Sequence, residues 1–254
     1  MGLTILRDRA SFMTLPEISI VVPVFNEEAS IDSLVTEIVH VCRGQFPFEI
    51  IYVDDHSTDS TVAALLRHKA TTAELRVLRH DRQSGQSRAI HHGVEFARAP
   101  WIVTLDGDGQ NDPTDIAVLL SALRRSPANV NLVCGWRVQR RDSQAKRWAS
   151  RCANALRARL LHDNTPDTGC GLKLFERAAF LQLPYFDHMH RYLPALMQRE
   201  GWQTCSVPVT HRHRTAGVSK YTNIQRALVG IRDLFGVTWL IARRQPVQVE
   251  ETQS

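Results

Sequence analysis

Three acidic side chains follow a short apolar run in the segment WIVTLDGDGQNDP, residues 101–113. Asp106, Asp108 and Asp112 repel one another unless a cation binds between them or each caps a neighbouring helix. A glycine follows each of the first two and permits a tight turn with close approach of a ligand. Hard divalent cations such as Mg²⁺ bind a few carboxylates and take phosphate oxygens and water as their remaining ligands, so this spacing favours a metal site.

Two other chemistries that use an Asp-x-Asp pair do not fit this segment. A calcium-binding EF-hand loop beginning at Asp106 would need glycine at its sixth position and glutamate at its twelfth. This chain has Asn111 and Ala117 there. A phosphatase with an aspartyl nucleophile usually has threonine or valine where this chain has Gln110. Both chemistries are therefore excluded.

Acidic residues also follow two earlier apolar runs. Glu27 comes shortly after ISIVVPV, and Asp54 and Asp55 come directly after FEIIYV. Helix capping stays open for the following HSTDS segment, but it does not account for Asp54 and Asp55, which precede the next predicted helix by several residues. Since ligands bind beyond the carboxyl ends of the strands in open parallel sheets, these acids and Asp106 predict one site formed by several strand ends.

The elements that must position these acids are short apolar runs alternating with segments of helical period. The first five predicted strands cover residues 18–24, 48–53, 75–80, 101–106 and 130–136. Predicted helices cover residues 28–42, 58–70, 86–98, 145–162, about 188–200 and about 223–242, one more begins after Pro113, and a last strand covers residues 203–209. Strands alternating with helices of this length predict βαβ units and an α/β fold with a mostly parallel sheet.

The overall composition narrows the class of protein. The chain has 254 residues, a net charge of +5 and an isoelectric point near 9.2, which favours an anionic partner. Its five cysteines are widely spaced without a C-x-x-C pair, so we expect reduced thiols in a cytosol-like compartment. No secretory signal is evident, and no apolar run reaches the roughly 18 residues that a membrane-spanning helix needs. One large α/β domain with a C-terminal appendage is predicted.

Five motifs now stand in order along the chain: VVPVFNEE, VDDHSTD, LDGDGQNDP, DTGCGLKLF and RTAGVSKY. Their order resembles that of the family 2 glycosyltransferases, and within them the dolichol- and polyprenyl-phosphate sugar transferases, over about residues 17–235. The resemblance implies a GT-A fold, a Rossmann-like and mostly parallel central sheet flanked by helices, with C-terminal amphipathic helices. We expect a catalytic domain at 17–221, an N-terminal extension at 1–16, and an amphipathic helix and tail at 222–254.

The resemblance implies a nucleotide diphosphate sugar as donor and names the residues that bind it. Pro23, Phe25 and Glu27 match the first nucleotide-binding motif, although the family often has tyrosine at the position of Phe25. The remaining matches are the base contact at Asp54, its neighbour near the ribose at Asp55, and the diphosphate contacts at Arg214 and Lys220.

Metal and acceptor residues are implied in the same way. Mg²⁺ or Mn²⁺ would be held by Asp106, Asp108 and Gln110. The acceptor phosphate would be received by Arg137, Lys146, Arg147 and Ser150, with Lys146 standing where the family has arginine. The residues expected to carry catalysis are Asp106, Asp108, Arg137 and Lys220.

The expected reaction is an inverting, metal-dependent transfer of a hexose from GDP-mannose, UDP-glucose or UDP-N-acetylglucosamine to a polyprenyl (dolichyl or undecaprenyl) phosphate. Such a phosphate is already ionised at neutral pH and needs no strong general base. An alternative acceptor, a saccharide or lipid-linked glycan of the cell envelope, would usually need one. The acids still open for that role are Asp112, Asp115, Asp163, Asp167 and Asp187. A basic, non-catalytic protein that binds nucleic acid or a membrane partner would have no need of Asp106 and Asp108.

Two basic amphipathic segments suggest where such an enzyme would meet its lipid. Residues 146–161 interleave Arg147, Arg151, Arg157 and Arg159 with Trp148 and leucines, and the last helix carries Ile224, Leu228, Ile231, Phe235 and Trp239 with Arg226, Arg232, Arg243 and Arg244. Basic helices with aromatic anchors lie in the membrane interface. We therefore expect a cytoplasmic protein, peripheral at the inner face of the membrane, with no nucleic-acid partner. Packing of these helices on the core or in a homo-oligomer stays open.

Overall fold

The computed structural model describes residues 15–138, 157–161, 163, 165–212 and 223–245, and the side chains of the last helix from residue 229 onward. The strands are β1 Ile18–Val24, β2 Phe48–Asp54, β3 Leu75–Arg79, β4 Trp101–Thr104, β5 Val130–Arg137, β6 Lys173–Glu176 and β7 Gln203–Val209. The helices are α1 Glu28–Cys42, α2 Thr61–Lys69, α3 Gln86–Phe96, α4 Asp115–Arg125, α5 Arg177–Leu181, α6 Leu193–Arg199 and α7 Asn223–Ala242. A short 3₁₀ helix covers Met189–Arg191.

The seven strands form one sheet in the order β3-β2-β1-β4-β6-β5-β7. Strand β1 is parallel to β2 and β4, β2 is parallel to β3, and β5 is parallel to β7. The carboxyl ends of β1, β2 and β4 therefore meet at one edge, beyond which the predicted acids follow. All seven residues of β1 are buried, which explains why its sequence is a continuous apolar run rather than an alternating one.

Strand β6 is a feature that the sequence did not predict. It pairs antiparallel with both β4 and β5, with Lys173 opposite Thr104 and Cys134. Its four residues, KLFE, are too short and too polar at their ends to give a clear strand pattern. The predicted helix near 188–200 also differs, because the structure divides it into the 3₁₀ turn and α6.

Helices cover both faces of the sheet and enclose two apolar clusters. Helix α1 presents Ile31, Leu34, Val35 and Ile38, at the spacing of one helical face, to the side shared with α2 and α4. The opposite cluster joins α3, α5, α6 and α7 to β1, β2, β4 and β5. Burial on both faces fixes the strands, so the loops at their carboxyl ends start from rigid positions.

Helix α7 has two different faces. Leu234 and Val237 are buried in the second cluster, and the hydroxyl of Tyr192 donates to the carbonyl of Gly230 at 3.0 Å. Ile231, Phe235 and Trp239, one turn apart from each other, lie on the other side and are exposed. Core packing, one of the two alternatives for this helix, therefore accounts for one face of it.

The predicted basic helix over 145–162 lies mostly outside the described residues, and only 157–161 are seen as helical. Arg157 is a correction to the idea of a lipid-facing basic stripe there. It is buried, with its Nε 3.3 Å from Asp163 Oδ1 and its Nη2 donating to the carbonyl of Thr165 at 2.6 Å. Arg159 is exposed. Within the described part of the chain, no helix has the length and apolar character to cross a bilayer.

Candidate active site

The turn that follows β4 holds the two central carboxylates. The backbone N–H of Asp106 donates to Asn111 Oδ1 at 2.9 Å, and the N–H of Gln110 donates to Asp108 Oδ1 at 3.1 Å. Gly109 has a φ of +73°, which side chains rarely tolerate. The result is a compact turn, closed by its own side chains, that presents Asp106 and Asp108 from one loop.

Two glycines let this turn lie against its neighbours. A Cβ at Gly107 would come within 2.9 Å of the carbonyl oxygen of Pro23, at the end of β1. A Cβ at Gly171, just before β6, would overlap the carboxylate of Asp106. Gly171 therefore allows Asp106 to occupy its position. The sequence indicated the first of these glycines but not the second.

The carboxylate of Asp106 is held where its charge is unfavourable. Burial raises the pKa of Asp106, and the neighbouring charge of Asp108 raises it further. The charges of Lys173 and Arg137 act in the opposite direction. Lys173 is buried, and its Nζ donates to the carbonyls of Thr168, at 3.4 Å, and of Cys170. A cation bound at Asp106 would relieve this unfavourable charge.

The donor set at this turn fits a hard divalent cation. Asp106 and Asp108 offer carboxylate oxygens, and Gln110 offers an amide oxygen while its Nε2 donates to the carbonyl of Arg212 at 3.5 Å. Across the described ranges there is no group of three or more His, Cys, Asp or Glu side chains that could hold a metal ion. Mg²⁺ and Mn²⁺ suit the smaller oxygen set, because Mg²⁺ commonly uses one or two carboxylates and completes its shell with phosphate oxygens and water.

Asp54 and Asp55 lie at the end of β2 and are both buried. The carboxylate of Asp54 accepts from the N–H of Ser57 at 3.2 Å and lies 3.3 Å from Arg79 Nε. Asp55 binds a different part of the chain, the loop before α3. The base contact of Asp54 and the position of Asp55 near the ribose both stay predictions.

The carboxylate of Asp55 binds the loop that precedes α3, about 30 residues further along the chain. Its carboxylate accepts from the N–H groups of Ser84 at 2.7 Å and Gly85 at 2.8 Å, and it pairs with His80 Nδ1 at 2.8 Å. Gly85 is the residue that precedes α3. Asp55 therefore binds the loop before α3 and not the N–H groups of the helix's first turn, so helix capping does not account for it, as the sequence spacing indicated.

The first motif lies between β1 and α1. Pro23 is buried at the end of β1 and lines a small cavity that also includes Asp106. Phe25 and Glu27 are half-buried, and the N–H of Glu27 donates to Thr61 Oγ1 at 2.9 Å. The structure brings this loop to the same edge of the sheet as the Asp106 turn, and its nucleotide contacts stay a prediction.

Arg137 ends β5 and forms a bidentate ion pair that the sequence did not predict. Its Nε lies 2.7 Å from Asp167 Oδ2 and its Nη2 lies 2.9 Å from Asp167 Oδ1. Side-chain exposure is 15% for Arg137 and 8% for Asp167. A guanidinium has five N–H groups, so Arg137 can bind Asp167 and a phosphate oxygen at the same time.

Five predicted site residues lie outside the described residues: Lys146, Arg147, Ser150, Arg214 and Lys220. The chain up to Arg212 is described, and it lies against the turn that holds Asp106 and Asp108. The N–H of Arg212 donates to the carbonyl of Gln110 at 2.9 Å, and Asn111 forms a β-bridge with His211. The guanidinium of Arg212 bridges Asp112, at 2.8 Å, and Glu37 on α1.

Several residues at this site were not named as binding or metal residues from the sequence. Gln86, the first residue of α3, donates from Nε2 to Asp106 Oδ1 at 2.9 Å. Ser87 Oγ lies 2.7 Å from His190 Nδ1, and both His190 and Lys173 line the cavity beside Asp106. The SGQSRAI segment had a visible signal, a glycine beside a helix start. Lys173 lies within the DTGCGLKLF motif, but neither it nor His190 was given a role from the sequence, because strand pairing and tertiary packing bring them here.

The overall architecture is shared with solved glycosyltransferase structures. A structure of glucosyl-3-phosphoglycerate synthase from Mycobacterium tuberculosis with phosphoglyceric acid matches at a TM-score of 0.67 and 18% identity, covering 94% of this chain and 84% of that one. A structure of the same synthase with Mn²⁺, uridine diphosphate and glucosyl-3-phosphoglycerate matches at 0.64 and 17%, with the same coverage. At this identity the likeness shows the fold alone, and it confirms the predicted GT-A class.

Curated proteins match more closely in sequence. Dodecaprenyl-phosphate galacturonate synthase of Rhizobium johnstonii is 37% identical over 237 residues, 89% of this chain and 67% of that protein. Undecaprenyl-phosphate 4-deoxy-4-formamido-L-arabinose transferases of Edwardsiella ictaluri and Pseudomonas paraeruginosa are 31% and 34% identical, over 84% and 81% of this chain. The chain spans 65% and 60% of the length of these two transferases.

The family model for glycosyl transferase family 2 matches residues 19–183. That range extends from the second residue of β1 to beyond β6, and it includes every described residue predicted to bind donor or metal. The carboxylate turn, the sheet that positions it and these matches agree, and the chain belongs to glycosyltransferase family 2.

Proposed function

We propose that this protein transfers a hexose, or a related sugar, from a nucleotide diphosphate sugar to a polyprenyl phosphate at a membrane surface, with inversion and with Mg²⁺ or Mn²⁺. The observation that carries the proposal is the turn after β4, where Asp106 and Asp108 share one loop and the pKa of Asp106 is raised by burial and by its neighbour. Because the negative charges of Asp106 and Asp108 repel each other, the turn suits a cation that also binds a diphosphate.

Departure of the nucleotide diphosphate is the step that most needs stabilisation, since negative charge develops on it. A divalent cation at Asp106 and Asp108 would supply Lewis-acid stabilisation of that charge. Arg214 and Lys220, which follow the segment tied to Gln110 and Asn111, are the proposed basic partners of the same diphosphate. The contacts of Arg212 support this, because they bring the chain beside the turn only two residues before Arg214.

The acceptor side of the site is proposed to be centred on Arg137, with Lys146, Arg147 and Ser150 contributing. A phosphate acceptor arrives ionised, so its oxygen can attack the anomeric carbon without a strong base. Attack from the face opposite the diphosphate gives a β-linked product from an α-linked donor. Asp167 orients the Arg137 guanidinium through two hydrogen bonds, and the remaining N–H groups of the guanidinium are proposed to bind the phosphate.

The relatives support the acceptor class more than the sugar. Their names give dodecaprenyl and undecaprenyl phosphate as carriers, but galacturonate and a formamido-arabinose as sugars. The donors first expected, GDP-mannose, UDP-glucose and UDP-N-acetylglucosamine, therefore need to be tested beside UDP-galacturonic acid. The base and sugar are a matter for experiment.

The test is transfer from each radiolabelled donor to undecaprenyl phosphate in detergent with Mn²⁺ or Mg²⁺. A product that partitions into chloroform–methanol and releases its label in mild acid supports the proposal, and an NMR coupling constant reports the anomeric configuration. Asp108→Asn should abolish the product, whereas Asp81→Asn, at an exposed acid elsewhere, should not. Failure with every donor, or transfer only to saccharide acceptors, would favour the alternative of a glycan-modifying transferase.

We also propose that the exposed face of α7 contacts the bilayer that holds the acceptor. Ile231, Phe235 and Trp239 are 53%, 66% and 59% exposed, and they lie one turn apart. Arg232 and Arg243 are the charged residues on this side, while Asp233 is turned toward His188, 3.2 Å away. An apolar stripe with aromatic anchors and flanking arginines suits an anionic lipid surface.

Vesicle sedimentation tests this surface. The protein should bind vesicles containing phosphatidylglycerol more tightly than vesicles of phosphatidylcholine alone, and Phe235→Ser with Trp239→Ser should reduce binding. Phe96→Ser is the matched control, because Phe96 is 56% exposed on a different helix. Equal binding by all variants would rule out this face, and a concentration-dependent dimer lost in the double variant would assign it to a second copy of the chain.

A further inference from the structure

The loop before α3 is bound by a single carboxylate, that of Asp55. Both oxygens of Asp55 accept backbone N–H groups, from Ser84 at 2.7 Å and from Gly85 at 2.8 Å. Gly85 has a φ of +87°, a conformation that other residues adopt at a cost, so the loop has few alternatives. Hydrogen bonds to an ionised acceptor are among the strongest in proteins, and this loop is accordingly fixed to the end of β2.

Gln86, which follows this fixed loop, contacts the turn that holds Asp106 and Asp108. Gln86 begins α3, and its Nε2 donates to Asp106 Oδ1 at 2.9 Å. On a second side, the Asp106 carboxylate lies against Gly171, where there is no Cβ to displace it. The backbone N–H of Asp106 donates to Asn111 Oδ1. The orientation of the Asp106 carboxylate is therefore determined by contacts from three separate parts of the chain.

We propose that Gln86 is a positioning residue for the divalent cation, and that Asp55 is its anchor. The inference rests on the proposed function, because it needs a cation at Asp106 and Asp108. An amide donor suits this role. It binds one oxygen of Asp106 without adding positive charge that would compete with a cation, and without the negative charge that a glutamate would place there.

This assignment links two motifs that the sequence treats separately. Asp55, expected near the ribose, also fixes the start of α3, and α3 in turn fixes a metal ligand. Outer partners of metal ligands commonly change metal affinity or activity by 10- to 100-fold when they are removed. Loss of the Gln86 amide should therefore weaken metal binding without unfolding the protein, since Gln86 is exposed.

The test is Mn²⁺ binding, measured by the free Mn²⁺ electron paramagnetic resonance signal, in the presence of UDP or GDP and without donor sugar or acceptor. Gln86→Met keeps the side-chain length and removes the donor, and we expect the Kd for Mn²⁺ to rise about 10-fold. Gln83→Met, an exposed glutamine in the same loop, is the matched control and should behave as wild type.

The outcomes separate this inference from the proposed function. If wild type binds no Mn²⁺ with either nucleotide, the metal-dependent function fails and the inference falls with it. If wild type binds and Gln86→Met binds equally well, the function stands and the positioning role is wrong. If Gln86→Met weakens nucleotide binding to the same extent in EDTA, Gln86 is a nucleotide contact and the assignment is overturned.

A double-mutant cycle tests the anchor. Asp55→Asn retains the size of the side chain but loses one of the acceptors for the 84–85 loop, so it should also raise the Kd for Mn²⁺. In the double variant with Gln86→Met, the combined effect should be clearly smaller than the product of the two single effects, because both changes act through one contact. Multiplicative effects would show that Asp55 acts on the metal site by another route, and would remove it from this proposal.

Discussion

Two pairs of acidic residues follow buried parallel strands in this protein, and the structure surrounds them differently. Asp54 and Asp55, after β2, accept backbone N–H groups and pair with Arg79 and His80. Asp106, after β4, is pressed against Gly171 and has a raised pKa. The first pair stabilises loops through its charge. At Asp106 the negative charge is unfavourable in the metal-free fold, which is consistent with the proposed role of this residue as a cation ligand.

The comparison predicts that the two pairs respond oppositely to substitution. Replacing Asp55, whose charge is compensated by hydrogen-bond donors, with a neutral residue should destabilise the fold. Replacing Asp106, whose charge is unfavourable, should stabilise the metal-free fold and abolish sugar transfer. The sequence assigned different roles to the two pairs, but it could not show which carboxylates have their charge compensated by neighbouring groups.

The largest expected effect is on sugar transfer by Asp106→Asn. A bound metal contributes several kcal/mol to the stabilisation of developing charge, so we expect kcat/KM to fall by at least about 10³-fold. The measurement is transfer with saturating Mn²⁺ and the preferred donor. A loss below tenfold would contradict a metal role for Asp106 and would make the two pairs alike.

Gly171→Ala should have the next largest effect. The new Cβ would overlap the Asp106 carboxylate and displace it, and a misplacement of about 1 Å near the reacting groups can cost about 10²-fold in rate. Gly230→Ala is a matched control, because a Cβ there meets nothing within 4 Å. Steady-state kinetics with both variants would check this, and equal activity would show that Asp106 tolerates another position.

Asp55→Ala should reduce stability rather than only activity. It removes the acceptor for two backbone N–H groups and for His80 in a buried place, so the free energy of unfolding should fall by about 2 kcal/mol. Urea denaturation of the metal-free protein measures this. An unchanged midpoint would mean that Asp55 holds the loop only weakly.

The smallest effect is a gain of stability in Asp106→Asn without metal. A raised pKa means that the folded state binds the Asp106 proton more tightly than the unfolded chain does, so stability falls as the pH rises above the ordinary value of 3.8. The variant lacks this loss. Its Tm in EDTA at neutral pH should be higher by about 2–4 °C, with the difference vanishing in acid. A lower Tm would reverse the contrast with Asp55.

Many of the helices and strands were predictable because they follow from the local periodicity of apolar residues. The bounds of α1 and β1 were predicted as the structure has them, and the Asp-x-Asp turn was found from residue type and spacing. What escaped depends on contacts between distant parts of the chain. Asp55 binds the loop before α3, and Arg137 pairs with Asp167, each across about 30 residues. No window of sequence contains both members of such pairs.

The reversed direction of β6 has a chemical consequence for the catalytic edge. An antiparallel strand enters where its neighbours leave, so Lys173 and not Glu176 stands beside the carboxyl end of β4. Had the strand run the other way, an acid would have joined two acids at this place. The antiparallel direction of β6 therefore places the positively charged Lys173, together with Gly171, which has no side chain, in a region that would otherwise concentrate negative charge.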